Sequence, residues 1–246
     1  MSRNKSLAVT YGKKIFWEMF GFFLFALGSV LFLNSDLGLN QWGILHQGIS
    51  FQTPLTIGQA SQVVGLLFIA VSSAFKIVPG LATVLNMIFI GLFTDLLINL
   101  QIFPTPDSII LKIIMLVVGN IALAYGMYFY LSQQLGAGPR DGVMLLLQRA
   151  TKLDVGIVRV GMEVLVVIIG YLMGGQFGIG TILSALLLGP TVSLIFKLHK
   201  YESGKLHESL VDTYRIITGK EKVAKSPAVS TSEEILAEDL AEESID

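Results

Sequence analysis

The chain has 246 residues, of which 53% are hydrophobic and 14% charged, with a mean hydropathy of +0.70. Soluble domains usually carry about 25% charged residues, so an ordinary soluble fold is excluded. The net charge is −1 and the basic residues form no basic face, which argues against nucleic-acid binding. The chain has no cysteine, which excludes disulfides and thiolate-ligated metal sites.

Six apolar segments are long enough to cross a bilayer, whose hydrocarbon core requires about 20 helical residues. In chain order they are residues 15–33, 57–75, 81–99, 109–131, 157–173 and 180–196. The first follows four basic residues but has no convincing cleavage site, so we predict a retained signal anchor. The sequence therefore predicts an all-α, polytopic helical membrane protein with about six transmembrane helices.

Polar or shorter segments lie around these spans. The apolar segments 39–50 and 139–150 are too short to cross, so each is predicted to be a short extra helix that re-enters the membrane or lies at its surface. Composition further predicts three polar regions: a cytosolic basic N-terminus over 1–14, an amphipathic cytosolic segment over 198–220 and an acidic disordered tail over 221–246.

An internal repeat becomes visible when the chain is shifted by 98 residues against itself. Gly21 then meets Gly119, Gly28 meets Gly126, and Leu37-Gly38 meets Leu135-Gly136. The shift needs no gap. It divides the chain into a first membrane repeat over 15–99, an outer loop over 100–108 and a second membrane repeat over 109–197.

The distribution of positive charge predicts how these repeats are oriented. If the N-terminus is cytoplasmic, every predicted inner loop holds lysine or arginine, whereas the outer regions 34–56, 100–108 and 174–179 hold none. Three spans per repeat would invert the second copy relative to the first. The alternative, in which the short segments also cross, gives four crossings per repeat and parallel copies.

The break before the second short segment supplies the first candidate site residues, Gly138, Pro139, Arg140 and Asp141. Proline suits the first position of a helix, and the free N–H groups beyond it form a partial positive end. Ionisable groups at membrane depth are costly and are often functional. The alternatives are an amphipathic cytosolic loop helix over 139–150 and a plain surface ion pair between Arg140 and Asp141.

The equivalent break in the first repeat places Asn40, Gln41, Trp42 and His46 near the same site. These residues make the first half of the predicted site aromatic and uncharged, while the second half is ionic. Helix breaks of this kind in inverted repeats are typical of substrate sites in secondary transporters.

Four ionisable residues within the predicted spans allow simpler interpretations. Glu163 is a candidate for proton or cation coupling, although a salt bridge with Arg159 one turn away is the default expectation. Glu18 and Lys112 lie near span ends, where we expect long side chains to reach the membrane surface and carry no function. No metal or cofactor site and no enzymatic motif is predicted.

The segments Leu135-Gly136-Ala137-Gly138-Pro139-Arg140-Asp141-Gly142-Val143-Met144, Gly178-Ile179-Gly180-Thr181-Ile182-Leu183 and Leu188-Gly189-Pro190 resemble the YczE/YitT-type family of bacterial membrane proteins. The resemblance covers residues 15–197. The first repeat departs from the family pattern, because Asn40-Gln41-Trp42-Gly43 stands where a Pro-Trp-Asp sequence is common. The resemblance implies a multi-pass protein of the bacterial plasma membrane and no particular substrate.

The sequence therefore favours a small transporter or permease of an organic, anionic solute, with N- and C-termini in the cytoplasm. The predicted partners are the lipid bilayer, the small-molecule solute and a second copy of the chain in a homodimer. A different class remains open, in which the protein is a non-transporting scaffold or regulator that acts through partner proteins.

Overall fold

The computed structural model describes residues 2–201 and 208–218. In these residues the secondary structure is entirely helical, and the helices are α1 (Ser2–Ser35), α2 (Gln41–Gln52), α3 (Ile57–Ala74), α4 (Leu81–Leu100), α5 (Ile109–Leu131), α6 (Pro139–Thr151), α7 (Val155–Leu172), α8 (Ile179–Leu198) and α9 (Leu210–Ile217).

Six of these helices are long and apolar enough to cross a membrane, namely α1, α3, α4, α5, α7 and α8. The all-α architecture and the number of candidate spans are therefore confirmed. The short apolar segments form α2 and α6, while the predicted N-terminal region continues directly into the first span as part of α1. The predicted tail over 221–246 lies outside the described residues, as do 202–207 and 219–220 of the amphipathic segment.

Helices α1 and α5 cross in an antiparallel manner through paired glycines. Gly21 packs against Gly126, whereas Gly28, two turns further along α1, packs against Gly119. A Cβ atom at Gly28 would lie only 2.6 Å from the carbonyl oxygen of Gly119, so the crossing requires glycine. The 98-residue shift converts the first contact into the second, and the two contacts are therefore equivalent.

Each half of the chain supplies a hydrogen bond to the helix break of the other half. The Gly180 N–H donates to the Leu37 carbonyl oxygen at 2.7 Å, and the Ala82 N–H donates to the Leu135 carbonyl oxygen at 2.9 Å. These are the same bond in the two halves, since both partners differ by 98. The breaks before α2 and α6 are thus held by the N-terminal ends of α8 and α4.

Glycine is required at both breaks by backbone conformation. Gly38 has φ 111° and Gly136 has φ 139°, values that side-chain-bearing residues rarely adopt. Gly38 also packs directly on Gly178, and Gly136 packs on Gly80. These glycines turn the chain abruptly into the short helices.

The short helices pack in the same crossed manner. Helix α2 packs on α7 where Gly170 meets the backbone of Ile44, and α6 packs on α3 where Gly142 meets Ser72. The 98-residue shift again relates these two contacts. Each short helix therefore rests against a long helix of the opposite half.

Residues 208–218 dock on one end of the bundle, which we call the tail face. The Glu208 N–H donates to the Gln134 carbonyl oxygen at 2.8 Å, and the Leu210 N–H donates to the Pro79 carbonyl oxygen at 3.0 Å. The Tyr11 hydroxyl donates to the Glu208 carboxylate at 2.7 Å. This segment therefore connects α1 with the loops that precede α4 and α6.

The opposite end, which we call the distal face, is closed by a polar network around Asp36. Lys112 Nζ lies 3.2 Å from one carboxylate oxygen of Asp36, and Gln176 Nε2 donates to the other at 2.7 Å. The Lys112 hydrogen bond, with that of Gln176, holds the pKa of the Asp36 carboxyl below its ordinary value. The Gln176 main chain also bonds to Leu39 and to the Gln47 side chain.

Glu18 corrects an expectation drawn from the sequence. Its side chain is fully buried and does not reach the surface, and neither carboxylate oxygen has a hydrogen-bond partner among residues 2–201 and 208–218. Lys14, one turn away, pairs instead with Glu208 at 3.4 Å. The equivalent residue of the second repeat is Leu116, which is also buried, so the fold accommodates an apolar side chain at this position.

We predict that Glu18→Leu raises the thermal midpoint of the detergent-solubilised protein by several degrees. An unsatisfied buried polar group costs about 1–3 kcal/mol, and leucine removes it at similar volume. The matched variant Leu116→Glu should lower the midpoint. Fluorescence-detected gel filtration after heating measures both, and a lower midpoint for Glu18→Leu would contradict this account of the carboxyl.

Candidate functional site

A cavity of about 380 Å³ lies between the two halves of the described part of the chain. Its volume falls at the lower end of the range for small-molecule sites. All nine site residues predicted from the sequence line it, namely Asn40, Gln41, Trp42, His46, Gly138, Pro139, Arg140, Asp141 and Glu163. The structure thus brings together two segments that are separated by nearly 100 residues.

The first turns of α2 and α6 are each capped by a hydrogen bond between a side chain and a backbone N–H, and the positions of the donor and the acceptor are exchanged between the two helices. In α2, the Asn40 side chain before the helix accepts from the Gly43 N–H at 2.7 Å. In α6, the Asp141 side chain within the helix accepts from the Gly138 N–H at 2.7 Å. The first repeat has glycine at position 43, where the second has Asp141. The Asn40 side chain caps the helix in its place.

Arg140 and Trp42 are equivalent residues of the two repeats, and they contact each other across the cavity. The guanidinium carbon lies 4.7 Å from the centre of the Trp42 ring. Phe68 of α3 also contacts the indole in an edge arrangement, with ring centres 5.6 Å apart. The pair of Trp42 and Arg140 thus joins the two halves within the cavity.

Arg140 has no hydrogen bond or salt bridge to another residue within 2–201 and 208–218. The surface ion pair with Asp141, which is the alternative interpretation of these two residues, is absent from the described residues, and that carboxylate instead caps α6. The Arg140 side chain is held over the indole by a cation–π contact, which leaves its N–H groups available to a ligand.

The remaining predicted residues occupy different environments. Gln41 is buried, and its side-chain oxygen lies 3.5 Å from the Ser184 hydroxyl. His46 faces the cavity from the second turn of α2. Glu163 forms the default salt bridge with Arg159 at 3.2 Å, so its carboxylate has a local partner.

Sequence reasoning missed most of the apolar lining. Four methionines face the cavity, from α4, α5, α6 and α7: Met87, Met127, Met144 and Met162. Methionine is common in ordinary cores, so its presence in apolar spans gives no signal of a site. The contact between Trp42 and Arg140 had a signal, because their numbers differ by the repeat distance of 98.

Comparisons with known proteins agree on the family. The model of the "Family of unknown function (DUF6198)" matches residues 12–197. An "Uncharacterized protein" of Haemophilus influenzae is 34% identical over 193 residues, covering 78% of this chain and 88% of the relative. The "Uncharacterized membrane protein YczE" of Bacillus subtilis strain 168 is 36% identical over 171 residues, covering 69% of this chain and 79% of that protein.

A third relative, the "Uncharacterized protein YyaS" of Bacillus subtilis strain 168, is 25% identical over 178 residues and covers 69% of this chain and 85% of its own. No solved structure has significant similarity to the chain. The matched region contains every helix that lines the cavity except the first ten residues of α1 and the last residue of α8. The chain therefore belongs to the DUF6198 family and is a YczE-type multi-pass membrane protein.

Proposed function

We propose that this protein is a small transporter or permease for an organic anion. The observation that carries the proposal is the central cavity, which the N-terminal ends of α2 and α6 line and where the Arg140 guanidinium lies over Trp42 without a salt bridge to any other described residue. An arginine without a salt bridge in a mostly apolar cavity is costly unless a ligand neutralises it. A bound anion supplies that neutralisation.

The repeat arrangement supports this proposal. The crossed contacts between Gly21 and Gly126 and between Gly28 and Gly119 fit two inverted repeats, each with three membrane spans. Pro139 lies beside Gly65, halfway along α3, so α6 begins near the middle of the bundle. We therefore infer that α2 and α6 are re-entrant helices and that the site lies near the bilayer midplane.

The two closed faces are consistent with alternating access. Residues 208–210 connect the loops before α4 and α6 at the tail face, while Asp36, Lys112 and Gln176 connect the corresponding loops at the distal face. Transport would require these connections to open one at a time. The backbone and side-chain hydrogen bonds involved are few, so each face can open without disrupting the glycine-lined crossing of α1 and α5.

We assign the protein to the bacterial plasma membrane with both termini in the cytoplasm. In this orientation the tail face, which holds Lys14 and Lys76, is cytoplasmic. The loop over 101–108 at the other end holds no lysine or arginine, as the positive-inside tendency requires of an outer loop. We assign no enzymatic activity and no cofactor to the chain, and a homodimer is compatible with this arrangement.

Arg140→Ala should abolish transport while leaving the amount of protein in the membrane unchanged. Proteoliposomes with wild-type protein are screened by counterflow for uptake of benzoate, pyruvate, glutamate and alanine. Loss of one charge-assisted contact of about 1.5–3 kcal/mol predicts a fall in uptake of roughly 10- to 100-fold. Arg149→Ala, at the exposed end of the same helix, is the matched control and should transport normally.

Two outcomes of that screen would contradict the proposal. If wild-type proteoliposomes accumulate no solute of the panel above protein-free vesicles, the assignment as an organic-anion transporter loses its basis. If Arg140→Ala transports as well as Arg149→Ala, the cavity around Arg140 is not the transport site.

The orientation of the repeats can be measured because the chain has no cysteine. Thr53 and Thr151 are equivalent exposed residues just after α2 and at the end of α6, and each hydroxyl bonds to the carbonyl four residues earlier. We expect Thr53→Cys to react with an impermeant maleimide only from outside the cell and Thr151→Cys only from the cytoplasm. Labelling of both from the same side would indicate parallel repeats.

The alternative function, a scaffold or regulator acting through partner proteins, is favoured by the docking of residues 208–218. This contact attaches the last described residues of the chain to the tail face. Deleting residues 219–246 should leave counterflow uptake unchanged, since every described contact of the bundle is kept. Loss of uptake at a normal membrane level would instead support a tail-dependent regulator, and Arg140→Ala is the control for an inactive core.

A further inference from the structure

The charges that line the cavity are compensated unequally. The cavity contains two arginines, and one of them, Arg159, is paired with Glu163 at 3.2 Å. The Asp141 carboxylate lies at the N-terminal end of α6, where it accepts a hydrogen bond from the Gly138 N–H at 2.7 Å and makes no salt bridge with Arg140. In the described part of the chain, Arg140 is left as the cavity's cation without an ionic partner.

The geometry of the Arg140 guanidinium favours a ligand with a planar carboxylate. A guanidinium presents its N–H groups in a flat fork that matches the two oxygens of a carboxylate. The guanidinium carbon lies 4.7 Å from the centre of the Trp42 ring, and this cation–π contact restricts rotation of the guanidinium. A planar carboxylate can therefore bind edge-on to the guanidinium, next to the indole.

The rest of the cavity fits an apolar body. Beyond the polar centre, the lining includes four methionines from four different helices, Phe25 and Phe68, together with aliphatic side chains and a smaller number of polar ones such as Asn86 and Thr94. Methionine side chains are flexible and polarisable, and they adapt to aromatic and aliphatic shapes alike. The volume of about 380 Å³ admits a small molecule but no polymer or macromolecular segment.

We propose that the ligand of this cavity is a monocarboxylate with a compact apolar or aromatic body, its carboxylate held by Arg140 and its body packed among Trp42 and the methionines. This inference rests on the proposed transport function for its biological role, but binding itself does not require transport. A single negative charge suits the one cavity arginine that makes no salt bridge within the described residues, whereas a dianion brings a second charge for which the cavity offers no further arginine of this kind.

Trp42 offers a direct measure of binding, because the chain contains only two tryptophans. In Trp17→Phe, which removes a tryptophan outside the cavity, Trp42 is the remaining tryptophan, and its emission can be excited selectively over that of the tyrosines. We expect benzoate to change its emission saturably in detergent. Phenylphosphonate, benzylamine and benzyl alcohol, which keep the ring but alter the charge or geometry of the polar group, should bind at least tenfold more weakly.

Two substitutions in the Trp17→Phe background test the role of Arg140. Arg140→Gln should abolish the benzoate-dependent change, and Arg140→Lys should weaken it at least tenfold, because an ammonium lacks the planar fork. Arg149→Gln removes a positive charge from the exposed end of α6 and should bind benzoate as the parent does. Gel filtration checks that every variant remains monodisperse.

Each alternative result overturns the inference. Saturable binding of phenylphosphonate or benzylamine in preference to benzoate would assign a different ligand class, and benzoate binding that persists in Arg140→Gln would place the carboxylate elsewhere. No saturable change with any of the four compounds would also refute the monocarboxylate assignment. A failure of the proposed transport function can be told apart from a failure of this inference. Arg140-dependent binding of benzoate without counterflow uptake would support the binding site and contradict the transport function.

Discussion

The architecture depends on how two broken helices satisfy their backbone groups in an apolar environment. A break strands N–H and C=O groups that lipid cannot satisfy, so protein must supply the partners. Here the partners come from the opposite half of the chain: Gly180 donates to Leu37, and Ala82 donates to Leu135. Because each of these hydrogen bonds joins a break in one repeat to a helix of the other repeat, they form only when the two halves associate closely. The glycine-lined crossing of α1 and α5 permits that approach.

This shared scaffold carries two chemically different halves of one cavity. In α2 the Asn40 amide accepts from the Gly43 N–H, whereas in α6 the Asp141 carboxylate accepts from the Gly138 N–H. Matching positions therefore exchange the donor and acceptor roles, and only α6 carries an acidic side chain in its first turn. At the next equivalent position the repeats supply Trp42 and Arg140, which contact each other within the cavity. Divergence at these few positions converts a symmetric frame into a site with one cationic and one aromatic wall.

Much of this frame could be predicted from the sequence, because span length, glycine spacing and the 98-residue shift are periodic signals. The shift also implied that Trp42 and Arg140 lie at matching positions, although only three-dimensional packing establishes that they touch. The docking of residues 208–210 had no comparable signal, since it uses backbone groups that every residue possesses. Burial of Glu18 was likewise missed: its depth depends on helices and a segment that pack around α1, which its position near a span end does not reveal.

Glu18 and its equivalent Leu116 contribute differently to the stability of the folded protein. At matching positions α1 buries a carboxyl without hydrogen bonds and α5 buries Leu116, so the fold itself does not require a polar group there. A native structure that retains such a group loses stability, which is common where function opposes stability. The nearby ion pair of Lys14 with Glu208 fastens the segment that closes the tail face. The carboxyl therefore lies one helical turn along α1 from the ion pair that fastens this segment.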